Sequence, residues 1–326
     1  MEKNRTLDTR KCIHCKACTD HCSFLKKYGL DISDTGRLRE LAYHCFLCGE
    51  CSEICPQKID GRGVILGLRQ KQVRNAGGKV EEPGYGMLIK EKKNYIFRNY
   101  RHAKRKSVLF PGCNFPSYYP ATTRKLVEFL EREAGIGVAY DCCGKPIAEL
   151  GMERAEEEII KELEKLLQEN GVEELIMVCP NCYDFLKPRI SVPVVSIYEK
   201  LSELGIGEKI EEEIQIFLPC PDRREQKWVE WMKPFLGRKT EVISDVQCCG
   251  LGGCARAKEP ELAEGFAQTL RERECQNIYT YCGSCAGNLS RNGCGNVKHI
   301  LTEILETKEK PDTAKSMANR MKTKFI

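Results

Sequence analysis

The chain has 326 residues, 41% hydrophobic and 30% charged, a balance that excludes a disordered or fibrous class and suits two or three globular domains. Its formal net charge of +5 is uneven, because residues 1–110 carry 23 Lys/Arg against 12 Asp/Glu while residues 111–326 carry 29 against 35. Against this ordinary background stand 21 cysteines, too many for a cytoplasmic chain unless they bind metal, since a reducing compartment keeps thiols free of disulfides.

Residues 1–61 contain eight of those cysteines and little strand pattern. Cys12-x2-Cys15-x2-Cys18-x3-Cys22 and Cys45-x2-Cys48-x2-Cys51-x3-Cys55-Pro56 repeat the spacing of bacterial ferredoxins. Three cysteines so spaced wrap three corners of a [4Fe–4S] cubane, and the fourth reaches the other cluster. The expected ligand sets are therefore Cys12, Cys15, Cys18 and Cys55 for one cubane, and Cys45, Cys48, Cys51 and Cys22 for the second. Structural zinc sites take four ligands and do not call for this triple-plus-one pattern. His14, His21 and His44 lie among the ligands as candidates for hydrogen bonds to sulfur, although packing or exposure is the commoner use of such residues. Each thiolate-bound cubane is anionic, so the basic half reads as compensation for the clusters or a docking face for an acidic redox partner, not as a nucleic-acid site.

A helix is expected over residues 62–75, stopped by Gly77-Gly78. The basic stretch 90–106 reads as a linker or docking surface. Beyond it the chain repeats itself. Ser107–Cys113 (SVLFPGC) is matched by Gln215–Cys220 (QIFLPC), Cys142-Cys143-Gly144 by Cys248-Cys249-Gly250, and Cys179-Pro-Asn-Cys182 by Cys282-Gly-Ser-Cys285. Two copies of one unit are the simplest account. Strand and helix patterns alternate within each copy. Residues 153–170 form an amphipathic helix through Ile159, Ile160, Leu163, Leu166 and Leu167, and the apolar runs 174–178 and 277–281 lead straight into Cys179 and Cys282. Such alternation predicts α/β layers with the cysteines on loops at the carboxyl ends of strands.

Each repeat offers five thiols: Cys113, Cys142, Cys143, Cys179 and Cys182, then Cys220, Cys248, Cys249, Cys282 and Cys285. A cubane has four iron corners, and neighbouring cysteines do not readily reach two of them. An opened, noncubane cluster, a spare cysteine, or zinc in one of the two repeats each resolves the excess.

These residues carry a resemblance. PGC113…CC143G…C179PNC182 and PC220…CC249GLGG…C282GSC285 resemble the CCG domains of the heterodisulfide reductase catalytic subunit. The order of a dicluster module followed by two CCG domains is similar to the fused form of that subunit, over nearly the whole chain to about Thr307. The same order occurs in iron–sulfur subunits of glycerol-3-phosphate and glycolate/lactate dehydrogenases. The resemblance implies a noncubane [4Fe–4S] cluster in each CCG domain, with a disulfide reduced between them. One departure is Phe217-Leu218-Pro219-Cys220, where that family often has His-Asp-Pro-Cys.

The resulting expectation is an α+β chain. An N-terminal α-helical dicluster ferredoxin-like module (1–89) and a basic linker (90–106) precede a duplicated α/β pair (CCG domains at 107–205 and 206–307) and a flexible basic tail (308–326). The expected function is an iron–sulfur oxidoreductase subunit that relays single electrons through two cubanes to paired CCG clusters reducing a disulfide. The second reading is a non-catalytic electron-transfer subunit of a flavin-linked dehydrogenase, passing electrons toward quinone. Expected partners are a flavoprotein, ferredoxin or cytochrome subunit and a small disulfide or thiol. No nucleotide-binding glycine motif follows a strand, so flavin or NAD belongs to a partner. With no apolar run near the roughly 20 residues that span a bilayer and a polar N-terminus, the expected location is cytoplasmic, with membrane contact only through a partner. Outside the ligands, His299 is a candidate proton source at the second site, and Lys145, Arg223 and Arg224 are candidates for holding an anionic substrate tail. Cys254, Cys275 and Cys294 are expected to be structural.

Overall fold

The computed structural model describes residues 9–273 and 277–325, so Cys275 lies outside the described residues. The chain forms two compact units that do not follow the linear order of the domains. The first comprises residues 1–93, 146–157 and 245–270, and the second residues 94–145, 158–244 and 271–326.

The first unit is helical. Short helices at Ala17–His21, Ser23–Tyr28, Thr35–Glu40 and Glu50–Glu53 hold the cysteine loops, and the longer Gly61–Asn75 buries Val64, Ile65, Leu68 and Val73 beneath them. Asp60 caps that helix by accepting from the Gly63 N–H at 2.9 Å, which satisfies one of its orphan donors. Gly61 is required by packing, because a Cβ there would lie 2.5 Å from Cys51 Sγ.

The second unit contains both sheets. The first sheet is built from β1 (Asn99–His102), β2 (Ser107–Phe110), β3 (Gly137–Tyr140), β4 (Glu174–Met177) and β5 (Val194–Ser196), in the spatial order β1-β3-β2-β4-β5. The second uses β6 (Ile214–Phe217), β7 (Thr240–Ile243), β8 (Ile278–Thr280) and β9 (Val297–His299), in the order β7-β6-β8-β9. Setting β1 aside, the two orders are the same, and every pairing except the antiparallel β1–β3 is parallel. The duplication visible in the cysteines is thus a duplication of the strand order. The chain is α+β, with parallel sheets in its repeated part. Buried strands such as β2, β3 and β4 read as continuous apolar runs because helices cover both faces.

Two stretches differ from the sequence reading. The basic segment 90–106 is not wholly a connector: helix Gly86–Lys93 enters it and β1 adds an edge strand to the first sheet. Residues 308–325 are not a loose tail. Helix Ser316–Lys322 is seated by Asn319, which donates to the Ser117 carbonyl at 3.2 Å, and by Arg320, which donates to Ser117 Oγ at 2.9 Å and Asn114 Oδ1 at 2.8 Å. Hydrogen bonds, which a hydropathy pattern does not register, do the seating.

The repeats pack on each other reciprocally. Behind Cys113, Asn114 donates to Ser284 Oγ at 2.7 Å, and a Cβ on Gly287 would lie 2.4 Å from the Tyr118 ring. Behind Cys220, Trp228 meets Tyr183 and Tyr198 edge-on, with centroids 5.6 and 5.7 Å away. Each repeat therefore sends the helix after its first cysteine onto the C-terminal half of the other, the self-complementary arrangement of a two-fold interface. Gly287→Ala is expected to lower stability by about 1–3 kcal/mol through overpacking, read from the denaturation midpoint. Among the described residues, no helix is long and apolar enough to cross a membrane.

Candidate metal centres

Three of the expected cysteine sets lie each within one compact unit, and the fourth is divided between the two. In the first unit, Cys12, Cys15, Cys18 and Cys55 line one small pocket together with Asp31, Ile32 and Pro56. Cys22 lies in the buried apolar core of this unit with Cys18, Cys45 and Cys51, and Cys12 and Cys55 pack against that core. The Cys22 thiol is pushed up to about 12, first by burial and then by the charges of Cys48 and Cys45. Burial pushes Cys45 up to about 11 and holds Cys51 well above the ordinary thiol range. Unaided, such thiols would stay protonated at neutral pH, and a bound cation is what favours their thiolate form.

The rings of His14 and His44 are bonded to carboxylates and not to sulfur. His14 Nδ1 lies 3.0 Å from Asp31 Oδ2, and His44 Nδ1 lies 2.6 Å from Glu259 Oε1; His21 is exposed. The amide that does reach sulfur is Gln247, whose Nε2 donates to Cys22 Sγ at 3.5 Å and to Cys48 Sγ at 3.4 Å. Sequence reasoning missed it because 225 positions separate Gln247 from Cys22.

Two further residues of the first unit went unseen in the sequence. Arg69 is fully buried, and its guanidinium donates to the carbonyls of Ala42, Cys45, Glu149 and Gly253 at 2.7–3.0 Å. Glu259, also fully buried, accepts from Tyr28 Oη at 2.6 Å and Lys27 Nζ at 2.5 Å. Arg69 had a signal, since it lies four residues after Ile65 and four before Val73, on the apolar stripe of its helix. The glycines after Cys249 also serve close approach: Gly253 has φ +62°, and a Cβ there would lie 2.4 Å from the Cys45 carbonyl oxygen. Gly253→Val is expected to displace the Cys45 loop and lose roughly 3 kcal/mol, measured by chemical denaturation alongside iron content.

In the second unit the first quintet converges. Cys113 follows β2, Cys142 and Cys143 follow β3, and Cys179 follows β4, so parallel pairing brings all three loops to one sheet edge. Cys143 accepts hydrogen bonds from Cys142 and Cys182, which hold its thiol well below the usual range. Gly112, at φ +72°, lets the Cys113 loop approach, since a Cβ there would be 3.1 Å from Cys182 Sγ. Of the second quintet, Cys220, Cys282 and Cys285 belong to the second unit, and the buried pair Cys248 and Cys249 to the first. The Cys220 and Cys282 loops are tied by Asp222, which accepts from Tyr281 Oη at 2.6 Å.

Cys179 and Cys282, at matching positions of the two repeats, are hydrogen-bonded to each other, and Asn181 Nδ2 donates to Cys282 Sγ at 3.5 Å. Hydrogen bonds from Cys179 and Cys285 hold the Cys282 thiol well below its ordinary range. Nearby, the Tyr119 and Tyr198 hydroxyls and His299 Nε2 are buried with no hydrogen-bond partner among the described groups, and all three are within electrostatic reach of Cys282.

His299 is a helix N-cap whose Nδ1 accepts from the Leu301 N–H at 3.3 Å, so its proton sits on Nε2. Burial lowers its pKa to about 4, which leaves a neutral donor and not a charged acid. Lys145 and Arg223 are half-buried and Arg224 is exposed, each beside its ligand loop. Cys254 is half-buried and Cys294 buried.

No disulfide joins any described cysteine. Buried, crowded thiols with unpartnered donors around them are a donor set that fits iron–sulfur groups, whose sulfur atoms accept such hydrogen bonds.

The cysteine-rich CCG domain matches the chain twice, over residues 107–187 and 216–290. One subunit of the fumarate reductase (CoM/CoB) of Methanothermobacter marburgensis is 26% identical over 358 residues, covering 92% of this chain and 73% of that protein. An uncharacterized iron–sulfur protein of Methanococcus maripaludis is 24% identical, covering 85% of this chain and 66% of that one. One subunit of the dihydromethanophenazine:CoB–CoM heterodisulfide reductase of Methanosarcina barkeri is 22% identical, covering 79% and 74%.

Proposed function

We infer that this chain, which carries two CCG cysteine-rich domains and is similar to heterodisulfide reductase-type iron–sulfur subunits, uses its two cysteine-rich sites jointly on one disulfide and the pair of thiols it yields. The observation that carries this reading is the contact between Cys179 and Cys282, one from each repeat at matching positions. The names of two relatives support it, since both contain the CoM and CoB couple.

Cys113, Cys142, Cys143, Cys179 and Cys182 would hold one group, and Cys220, Cys248, Cys249, Cys282 and Cys285 the other. The cysteines of residues 12–55 would hold two cubanes. When bound, such groups store single electrons and offer iron to sulfur, and two of them match the two electrons that splitting a disulfide consumes as it releases two thiolates.

The chain's own residues shape that site. Asn181 orients the Cys282 sulfur through its amide. Trp228, stacked on Tyr281 at 5.9 Å, and Phe115, 4.8 Å from the His299 ring, keep the flanks apolar. The Tyr119, Tyr198 and His299 donors, which feel the Cys282 charge, would stabilise charge on sulfur. Lys145, Arg223 and Arg224 follow ligands and are candidates for an anionic substrate tail. Electrons would come from a redox partner, whether flavoprotein, ferredoxin or cytochrome.

The test is a disulfide reductase assay with reduced viologen on protein holding about 16 iron atoms per chain, the content of four [4Fe–4S] clusters. Turnover of a small disulfide is expected. Fully iron-loaded protein with no turnover would leave the chain a conduit for a flavin-linked dehydrogenase.

A further inference from the structure

Gln247 stands one residue before the Cys248–Cys249 pair, yet its side chain is committed elsewhere. Its Oε1 accepts from the Ser23 N–H at 2.9 Å, and its Nε2 donates to Cys22 Sγ at 3.5 Å and Cys48 Sγ at 3.4 Å. The backbone donor at Ser23 fixes the amide's sense: the oxygen must face Ser23, so the NH2 group must face the two sulfurs. Ser23 directly follows Cys22, so one side chain clamps the Cys22 loop and bridges it to Cys48. All of these groups lie within the first compact unit.

We propose that Gln247 is a positioning residue that sets the reduction potential of the centre held by Cys22, Cys45, Cys48 and Cys51, and ties that potential to the seating of the Cys248–Cys249 loop. Reduction adds negative charge that spreads onto the ligand sulfurs. An N–H donated to two of those sulfurs stabilises the reduced form more than the oxidised one, and so raises the potential. The other N-terminal set draws its sulfur contacts from elsewhere: Cys12 Sγ accepts from the His14 backbone N–H at 3.4 Å, and Cys18 from the Thr19 side chain and the Ile32 backbone. The Gln247-bonded centre is therefore expected to sit higher in potential than it would without this amide. Because Gln247 directly precedes Cys248 and Cys249 within the first unit, a shift of that loop would also move the two sulfur contacts.

This inference rests on the reading that those four thiols hold an iron–sulfur cluster, but not on disulfide reduction. The experiment is a spectroscopically monitored redox titration of the full chain, comparing wild type with Gln247→Leu and Gln247→Glu. Gln247→Leu removes both N–H···S bonds and is expected to bias one N-terminal centre about tenfold toward its oxidised form, a fall of about 59 mV for one electron, with the other unmoved. Gln247→Glu keeps the size and the acceptor for Ser23 while placing a carboxylate against the sulfurs, so its fall should be larger. If the leucine variant loses iron, the glutamate variant decides alone. Unchanged potentials in an iron-replete variant overturn the inference while leaving the cluster reading intact. A wild type that binds no iron at these cysteines overturns both.

Discussion

Arg69→Ala is expected to destabilise the first unit by about 3–5 kcal/mol, the cost typical of breaking a buried charged network, and to release iron from the Cys22/Cys45/Cys48/Cys51 set under mild chelation. The guanidinium is 0% exposed and donates five hydrogen bonds to four carbonyls. Those carbonyls sit far apart in the sequence, at Ala42, Cys45, Glu149 and Gly253. The cation also lies 4.9 Å from the Tyr43 ring centroid, which offsets part of its desolvation. Each buried carbonyl deprived of its donor costs about 1–3 kcal/mol, less whatever entering water recovers. Stability of a domain is commonly about 5–15 kcal/mol, so the loss is a large share. Arg69→Met separates the causes, since it keeps most of the volume but none of the donors; it should be nearly as damaging as alanine. Arg69→Lys has three donors on one point charge and should fall between them. Denaturant midpoints with iron retention check this, and a methionine variant within about 1 kcal/mol of wild type would show that packing, and not carbonyl capture, is what Arg69 provides.

How much of this was legible in the sequence follows the distance over which each signal acts. Ligand spacing is local, so the runs Cys12–Cys22 and Cys45–Cys55 are readable directly, and the charges of Cys48 and Cys45 act on Cys22. The repeat was readable because matched motifs recur at a near-constant offset, and it reappears as the shared order β3-β2-β4-β5 and β7-β6-β8-β9. β1 was not readable, because Asn99–His102 is a polar edge strand with one buried residue, and its charge outweighs any strand signal. The helix Ser316–Lys322 was hidden for a similar reason, being held by Asn319 and Arg320 hydrogen bonds. Gln247 and Arg69 exert their effects on partners as far as 225 and 184 positions away, which no periodicity reports.

The second large effect concerns Cys282. Cys282→Ala is expected to lower iron from about 16 to about 12 atoms per chain and to abolish any paramagnetic signal that added thiols induce in oxidised protein. Signals from the N-terminal cysteine sets should persist, since those sulfurs belong to the other compact unit. Cys282 is singled out by three converging observations: its hydrogen bond with Cys179 of the other repeat, the Asn181 amide on its sulfur, and the unpartnered Tyr119, Tyr198 and His299 donors within its electrostatic reach. The control is Cys294→Ala, which removes a buried cysteine outside the ligand sets and should leave iron and thiol response alone. A milder probe is Tyr198→Phe, which deletes one donor without changing shape. If that hydroxyl bonds sulfur, the thiol-induced signal should survive with altered field positions while iron content stays constant. A wild type fully loaded with iron but silent to thiols would remove the reason for two sites to meet at Cys179 and Cys282, and with it the case for disulfide chemistry on this chain.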